Sequence, residues 1–63
     1  MSLKEFYSKE VNIVDVSGKH WSGVAEDYCF PDENESGNES LIVRCNARLI
    51  EFETVDIETI NTV

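Results

Sequence analysis

Three side chains in this sequence are of the types most often used in catalysis or metal binding: Cys29, Cys45 and His20. Together they suggest either a thiol–imidazole pair or part of a metal site. Structural zinc requires four ligands at close spacing, and a nucleophilic cysteine requires a nearby base and an electropositive setting. Three residues spread along an acidic chain meet neither requirement. We therefore expect two small, semi-buried thiols, no catalytic residue, no metal site, no cofactor and no enzyme.

A second pattern is typical of calcium sites. Oxygen-bearing side chains alternate before a glycine in Asp32-x-Asn34-x-Ser36-Gly37, which is the first half of a calcium-binding loop. A complete loop would close with a bidentate glutamate, but that position is Val43. We expect residues 32–40 to form a flexible acidic loop in water, with weak divalent binding as the alternative.

The composition limits the classes of partner. The chain has 63 residues, 13 acidic and 5 basic side chains, and a formal net charge of −8. This acidity argues against a nucleic-acid surface, because affinity for phosphates comes mainly from lysine and arginine. We find no signal peptide and no apolar run of the roughly 20 residues that span a bilayer. We therefore expect a cytoplasmic protein without membrane contact, with one domain over residues 1–63.

Short β-branched and aromatic segments predict five strands. The first two, 11–16 and 20–30, form a hairpin whose turn uses the positive φ available to Gly18. Gly23 predicts a bulge or sharp bend in the second strand, and Pro31 ends that strand. The remaining predicted segments are a strand over 41–45, a turn over 46–48, a strand over 49–53, a helical turn over 54–56 and a strand over 57–63.

The first residues predict a short N-terminal helix. Leu3, Phe6 and Tyr7 share a helical face, while Ser2 and Glu5 have the spacing of a capping box. Such a helix is too short to be stable alone, so we expect it to cover the open end of a barrel. The fold class is therefore predicted as mainly β: a small five-stranded barrel with a short N-terminal helix.

This pattern resembles the Sm-like (Lsm) small barrels and, more loosely, other SH3-type barrels. The matching segments are Val11-x-Ile13, Gly18-Lys19-x-Trp21-x-Gly23, Tyr28 and Asn38-x-x-Leu41-x-Val43. They are similar to the first Sm motif, in which a strand, a turn glycine, aromatic residues and a polar residue precede strand three. The chain also looks like small Sm-like hypothetical proteins of Gram-positive bacteria, which have no established role to transfer.

The resemblance implies rings in which strand four of one copy pairs with strand five of the next, and it implies RNA binding. The second Sm motif normally has a basic group near the turn between those strands, whereas residues 51–56 read Glu-Phe-Glu-Thr-Val-Asp. The loop after strand two is also acidic. We therefore expect a noncatalytic interaction or assembly module, with an RNA-binding protein as the alternative.

Five apolar residues are candidates for an interaction surface: Trp21, Tyr28, Phe30, Ile57 and Ile60. Exposed aromatic side chains would suit a peptide or a stacked base, and packing into the core is the alternative for aromatic residues in so small a domain. The expected partner is a second copy of the chain or another protein. A third interpretation is an acidic surface that occupies a partner's basic surface.

Overall fold

The computed structural model describes residues 2–63 as a mainly β protein with five strands in one antiparallel sheet. The strands are β1 (Glu10–Asp15), β2 (His20–Cys29), β3 (Ser40–Cys45), β4 (Arg48–Glu53) and β5 (Ile57–Thr62). Single 3₁₀ turns occupy Leu3–Phe6, Pro31–Glu33 and Thr54–Asp56. The sheet order is β4-β3-β2-β1-β5, which confirms the predicted fold class. The described residues contain no helix that is both long and apolar enough to cross a membrane.

One hydrophobic core joins strands from the whole sheet, including the two at its edges. Phe52 of β4 and Ile57 of β5 are buried in the same cluster as Val11 of β1, Ala25 of β2 and Leu41 of β3. A flat sheet could not bring both edge strands onto one core, so this sheet curls into a small barrel. Within residues 2–63, no ladder joins β4 to β5. The barrel is therefore open between its two edge strands.

The N-terminal segment is a 3₁₀ turn and not an α-helix, and the predicted capping box is wrong. Ser2 makes no side-chain cap hydrogen bond. Instead, the Leu3 amide donates to Glu39 Oε1 at 3.1 Å. Leu3 is fully buried, whereas Tyr7 is 49% exposed. A segment this short gains little from helical hydrogen bonds, so the burial of Leu3 and the contact with Glu39 hold it in place.

Gly23 is required by a close approach of two backbones, and the bulge lies elsewhere. β2 pairs with β1 without a register shift through Gly23. The shift of β2 against β3 falls between Ala25 and Asp27. A Cβ atom at position 23 would overlap the carbonyl oxygen of Arg44. Glycine therefore lets the backbone of β3 lie against β2 at this point.

We expect Gly23→Ala to lower the free energy of unfolding by about 2 kcal/mol or more, because the obstructing atom belongs to backbone that cannot rotate away. Gly18→Ala is the matched control. Its φ is +87° but the space around it is open, so only local strain of about 1 kcal/mol should appear. Urea unfolding of both variants measures the difference. Equal losses would contradict the close-approach explanation.

Candidate interaction surfaces

The structure separates the five candidate surface residues. Trp21 lies near the start of β2, and Tyr28 and Phe30 lie at its end. Ile60 of β5 is half-buried against the core, and Ile57 is only 7% exposed within it. Ile57 is therefore a core residue, and its predicted place on an interaction surface is corrected. The other four residues do not form one surface.

Asp15 organises the turn between β1 and β2. Its Oδ1 accepts hydrogen bonds from the Ser17 hydroxyl at 2.7 Å, the Ser17 amide at 2.9 Å and the Lys19 amide at 3.0 Å. Its Oδ2 accepts from Trp21 Nε1 at 2.9 Å. The Ser17 hydroxyl first, and then the Trp21 indole, hold the pKa of the Asp15 carboxyl well below its usual range. Asp15 was not among the residues predicted from the sequence, although an aspartate ahead of a Ser-Gly turn is a recognisable turn signal.

The contacts of Trp21 restrict its use as a stacking platform. The Lys19 ammonium lies 4.3 Å from the centroid of the Trp21 ring. The ring also meets Phe52 edge to face, with centroids 5.6 Å apart. Together with the hydrogen bond to Asp15, these contacts fix the orientation of the indole. Trp21 is thus partly buried against the core and partly exposed. The sequence had left open whether it belongs to the core or to an interaction surface.

A depression of about 380 Å³ beside Trp21 has an unusual charge for this protein. Its lining includes Lys19, His20 and Arg48 but no aspartate or glutamate. Arg44 and Arg48 do not cluster, because Arg44 pairs with Leu49 and Arg48 with Cys45 in the β3–β4 ladder, and neighbouring ladder pairs face opposite sides of the sheet. The basic side chains of the depression therefore come from the β1–β2 turn, the start of β2 and the start of β4.

The two cysteines lie on neighbouring strands but at opposite ends of the pair. Cys29 stands opposite Ser40, whereas Cys45 lies beyond the Val24–Arg44 pair. His20 and Cys45 line the same depression. Burial raises the pKa of the Cys45 thiol, against the opposing effect of Arg48, so this thiol lacks the character of a nucleophile. Within residues 2–63, no group of three or more His, Cys, Asp or Glu side chains is placed to hold a metal ion.

The loop between β2 and β3 has hydrogen-bonded structure of its own. Asn34 Nδ2 donates to the carbonyl of Asn38 at 2.7 Å and to Ser40 Oγ at 3.1 Å. The Ser36 hydroxyl donates to Glu53 Oε1 at 2.8 Å. Two of the side chains in the calcium-like pattern therefore bind other parts of the chain and do not converge on a shared point. The flexibility of this acidic loop and weak divalent binding by it stay predictions.

Glu39 at the end of this loop connects three segments. Its Oε1 accepts hydrogen bonds from the Leu3 amide at 3.1 Å and from the Tyr28 hydroxyl at 2.8 Å. The hydrogen bond to Glu39 raises the pKa of the Tyr28 hydroxyl. No sequence signal marked Glu39, because its partners are remote along the chain. The N-terminal turn is thereby held against the end of β2.

The register between β5 and β1 determines which residues of β5 direct their backbone N–H and C=O groups away from β1. The Val63 amide donates to the Glu10 carbonyl at 2.9 Å. In an antiparallel ladder, hydrogen-bonded and non-hydrogen-bonded pairs alternate. The Val11–Thr62 and Ile13–Ile60 pairs are therefore non-hydrogen-bonded. Ile60 and Thr62 consequently direct their N–H and C=O groups away from β1, toward the open edge.

The same reasoning applies to β4. Cys45 and Arg48 flank a two-residue turn and form a ladder pair, and the residues next to such a turn form a hydrogen-bonded pair. Leu49 and Glu51 therefore direct their backbone groups away from β3. Glu53 would do the same, but its amide donates to Asp56 Oδ2 at 2.9 Å. The open part of the β4 edge is thus limited to Leu49 and Glu51.

Comparison of the chain with protein-family models, with curated protein sequences and with solved structures found no match. Membership of the Sm-like family, the noncatalytic role and the cytoplasmic location therefore stay predictions.

The low pKa of Asp15 predicts a pH-dependent stability. Because this pKa is lower in the folded state than in the unfolded chain, the contribution of Asp15 is complete above about pH 4 and is lost as the pH falls through the folded-state pKa. We expect Asp15→Asn to flatten the fall in urea midpoint between about pH 4 and pH 2, as followed by Trp21 fluorescence.

Glu35→Gln is the matched control for this experiment, because it removes one negative charge from the exposed part of the loop. Its urea midpoints should follow the pH dependence of the unmodified protein. Parallel pH profiles for Asp15→Asn and the unmodified protein would show that the hydrogen bonds around Asp15 do not contribute as described.

Proposed function

We propose that the chain is a noncatalytic assembly module whose copies join through their edge strands, with β4 of one copy pairing with β5 of the next. The observation that supports this most directly is the pair of open edges on one curled sheet. Each edge strand is six residues long, and each presents two residues with outward backbone groups. Unpaired strand edges are templates for pairing with another chain.

The two edges are suited to each other. Leu49 and Glu51 on β4 are separated by one residue, as are Ile60 and Thr62 on β5, so both pairs fit one antiparallel ladder. Residues opposite each other in such a ladder share a face. Leu49, which is 54% exposed, would then lie directly or diagonally beside Ile60 of the neighbouring copy. Assembly would therefore cover an exposed leucine as well as pair the backbone.

The size and composition of the chain support the same proposal. A 63-residue chain buries a small core, and added strand pairing would stabilise it. Neither β4 nor β5 contains proline or lysine, two residues that often prevent edge pairing. Joining two different edges is a head-to-tail contact, which continues until a ring closes or a filament forms. The resemblance to Sm-like barrels favours a ring of five to seven copies.

We expect Leu49→Glu to weaken assembly by roughly ten- to hundredfold for each interface, because it places a charge where an apolar contact forms. The side chain is exposed in a single copy, so the fold should be retained. Val24→Glu is the matched control, since Val24 is 43% exposed and lies on β2, the central strand of the sheet. Light scattering behind size exclusion, at several concentrations, measures the mass of each variant.

The β5 edge is tested by Thr62→Pro, with Thr62→Ala as its control. Proline removes the outward N–H of position 62 without removing a ladder bond to β1, whereas alanine keeps it. Assembly should weaken in the proline variant and persist in the alanine variant. A monomeric unmodified protein at every concentration, or full assembly of both Leu49→Glu and Thr62→Pro, would overturn the proposal.

The depression beside Trp21 favours one second candidate, an RNA-binding protein. Its lining brings Lys19, His20 and Arg48 together and includes no aspartate or glutamate. RNA binding there predicts that Arg48→Gln weakens binding of uridine-rich or adenine-rich RNA at low salt, where electrostatic binding is strongest.

Arg44→Gln is the matched control for the RNA experiment. Arg44 Nε lies 2.7 Å from Glu26 Oε2 in an ion pair, and Arg44 does not line the depression. Fluorescence anisotropy of labelled RNA provides the measurement. An unmodified protein that binds neither RNA at low salt would end this candidate. Equal losses in the Arg48 and Arg44 variants would remove the depression as the RNA site.

A further inference from the structure

The N-terminal turn and the end of β2 enclose an aromatic cleft of about 190 Å³, lined by Tyr7, Tyr28 and Phe30 together with Lys4 and Asp27. Tyr7 and Phe30 are each 49% exposed. The rings of Tyr28 and Phe30 meet edge to face, with centroids 5.1 Å apart. Contiguous exposed apolar side chains are one mark of an interaction site.

One carboxylate lines the aromatic cleft, and two more accept hydrogen bonds from its lining residues. Asp27 lines it and accepts a hydrogen bond from the Tyr28 amide at 2.8 Å. Glu39 accepts from the Tyr28 hydroxyl at 2.8 Å, and Glu33 accepts from the Phe30 amide at 2.7 Å. These donors are neutral groups, so they do not cancel the charges of the carboxylates. Together with the net charge of −8, they make the cleft attractive to cations.

The side chain of Lys4 already places a positive charge at the cleft. The Lys4 ammonium lies over the Phe30 ring, 5.1 Å from its centroid, within the range at which the ring face attracts a positive charge. Lys4 belongs to the exposed part of the N-terminal turn, so its flexible side chain can leave. It therefore occupies the position that a cation from another molecule would take.

We infer that the aromatic cleft binds an arginine side chain from an unstructured basic segment of a partner protein, and that this arginine displaces Lys4. The volume of the cleft lies below the 300–1,000 Å³ typical of small-molecule sites and suits one side chain. Arginine fits better than lysine because its planar guanidinium stacks on aromatic rings and donates to several carboxylates at once. The inference does not depend on the proposed assembly, because the cleft lies outside β4 and β5.

The test is an NMR titration of the full chain with a peptide of alternating arginine and glycine, compared with the same peptide carrying citrulline for arginine. Citrulline keeps the shape of the side chain and removes its charge. We expect saturable shifts concentrated at Tyr7, Tyr28 and Phe30 with the arginine peptide only. Shifts spread over the whole acidic surface, or equal binding of the citrulline peptide, would overturn the inference.

A pair of lysine variants separates the cleft from general electrostatic attraction. Lys4→Gln removes the competing cation and should strengthen peptide binding by roughly three- to tenfold. Lys9→Gln changes the net charge by the same amount, but Lys9 does not line the cleft, so its effect should be clearly smaller. Equal strengthening in the two variants would show that only net charge attracts the peptide.

Removing the Phe30 ring should weaken peptide binding, the opposite of the effect expected for Lys4→Gln. Phe30→Ala should weaken binding by roughly three- to tenfold, whereas Val55→Ala, at another exposed apolar residue, should leave it unchanged. The dispersion of the NMR spectrum reports whether each variant is folded. If Phe30→Ala unfolds, Tyr7→Ala replaces it as the aromatic variant, and unchanged peptide binding by a folded aromatic variant would overturn the inference.

Discussion

The close approach of β2 and β3 at Gly23 is the contact on which the curl of the sheet depends. Since the carbonyl of Arg44 occupies the space of a side chain at position 23, the two backbones can pack only when that side chain is missing. The resulting curl brings β4 over β2, where Phe52 meets Trp21. Asp15 then fixes the indole through its Nε1 atom. The contact between Phe52 and Trp21 is thus a consequence of the same curl.

The curl also explains why the barrel remains open between β4 and β5. A sheet of five short strands can surround a core of this size, but β4 and β5 contribute to that core without pairing with each other. Their outward backbone groups meet water in a single copy. Assembly through these edges would satisfy them and enlarge the buried area, which is the principal difficulty for a chain of 63 residues.

The two ends of β2 carry opposite chemistry. Near its start, Lys19, His20 and Arg48 line the depression beside Trp21. Near its end, Asp27 lines the aromatic cleft, and Glu33 and Glu39 accept hydrogen bonds from its lining residues. Although the net charge is −8, the basic and acidic side chains are therefore unevenly distributed between the two ends of β2. These two ends are the sites proposed above for RNA and for an arginine side chain, and β4 and β5 contribute no residue to the lining of the aromatic cleft.

The sequence by itself determined the strands and their turns, because alternation, β-branched residues, Gly18 and Pro31 act locally on the backbone. Only the tertiary structure decided that Ile57 is core, that Ser2 does not cap a helix and that Gly23 accommodates a neighbouring strand. The same holds for Glu39, whose contact with Leu3 spans 36 residues. Such contacts depend on how distant segments meet when the sheet curls, and no local pattern of residue types encodes them.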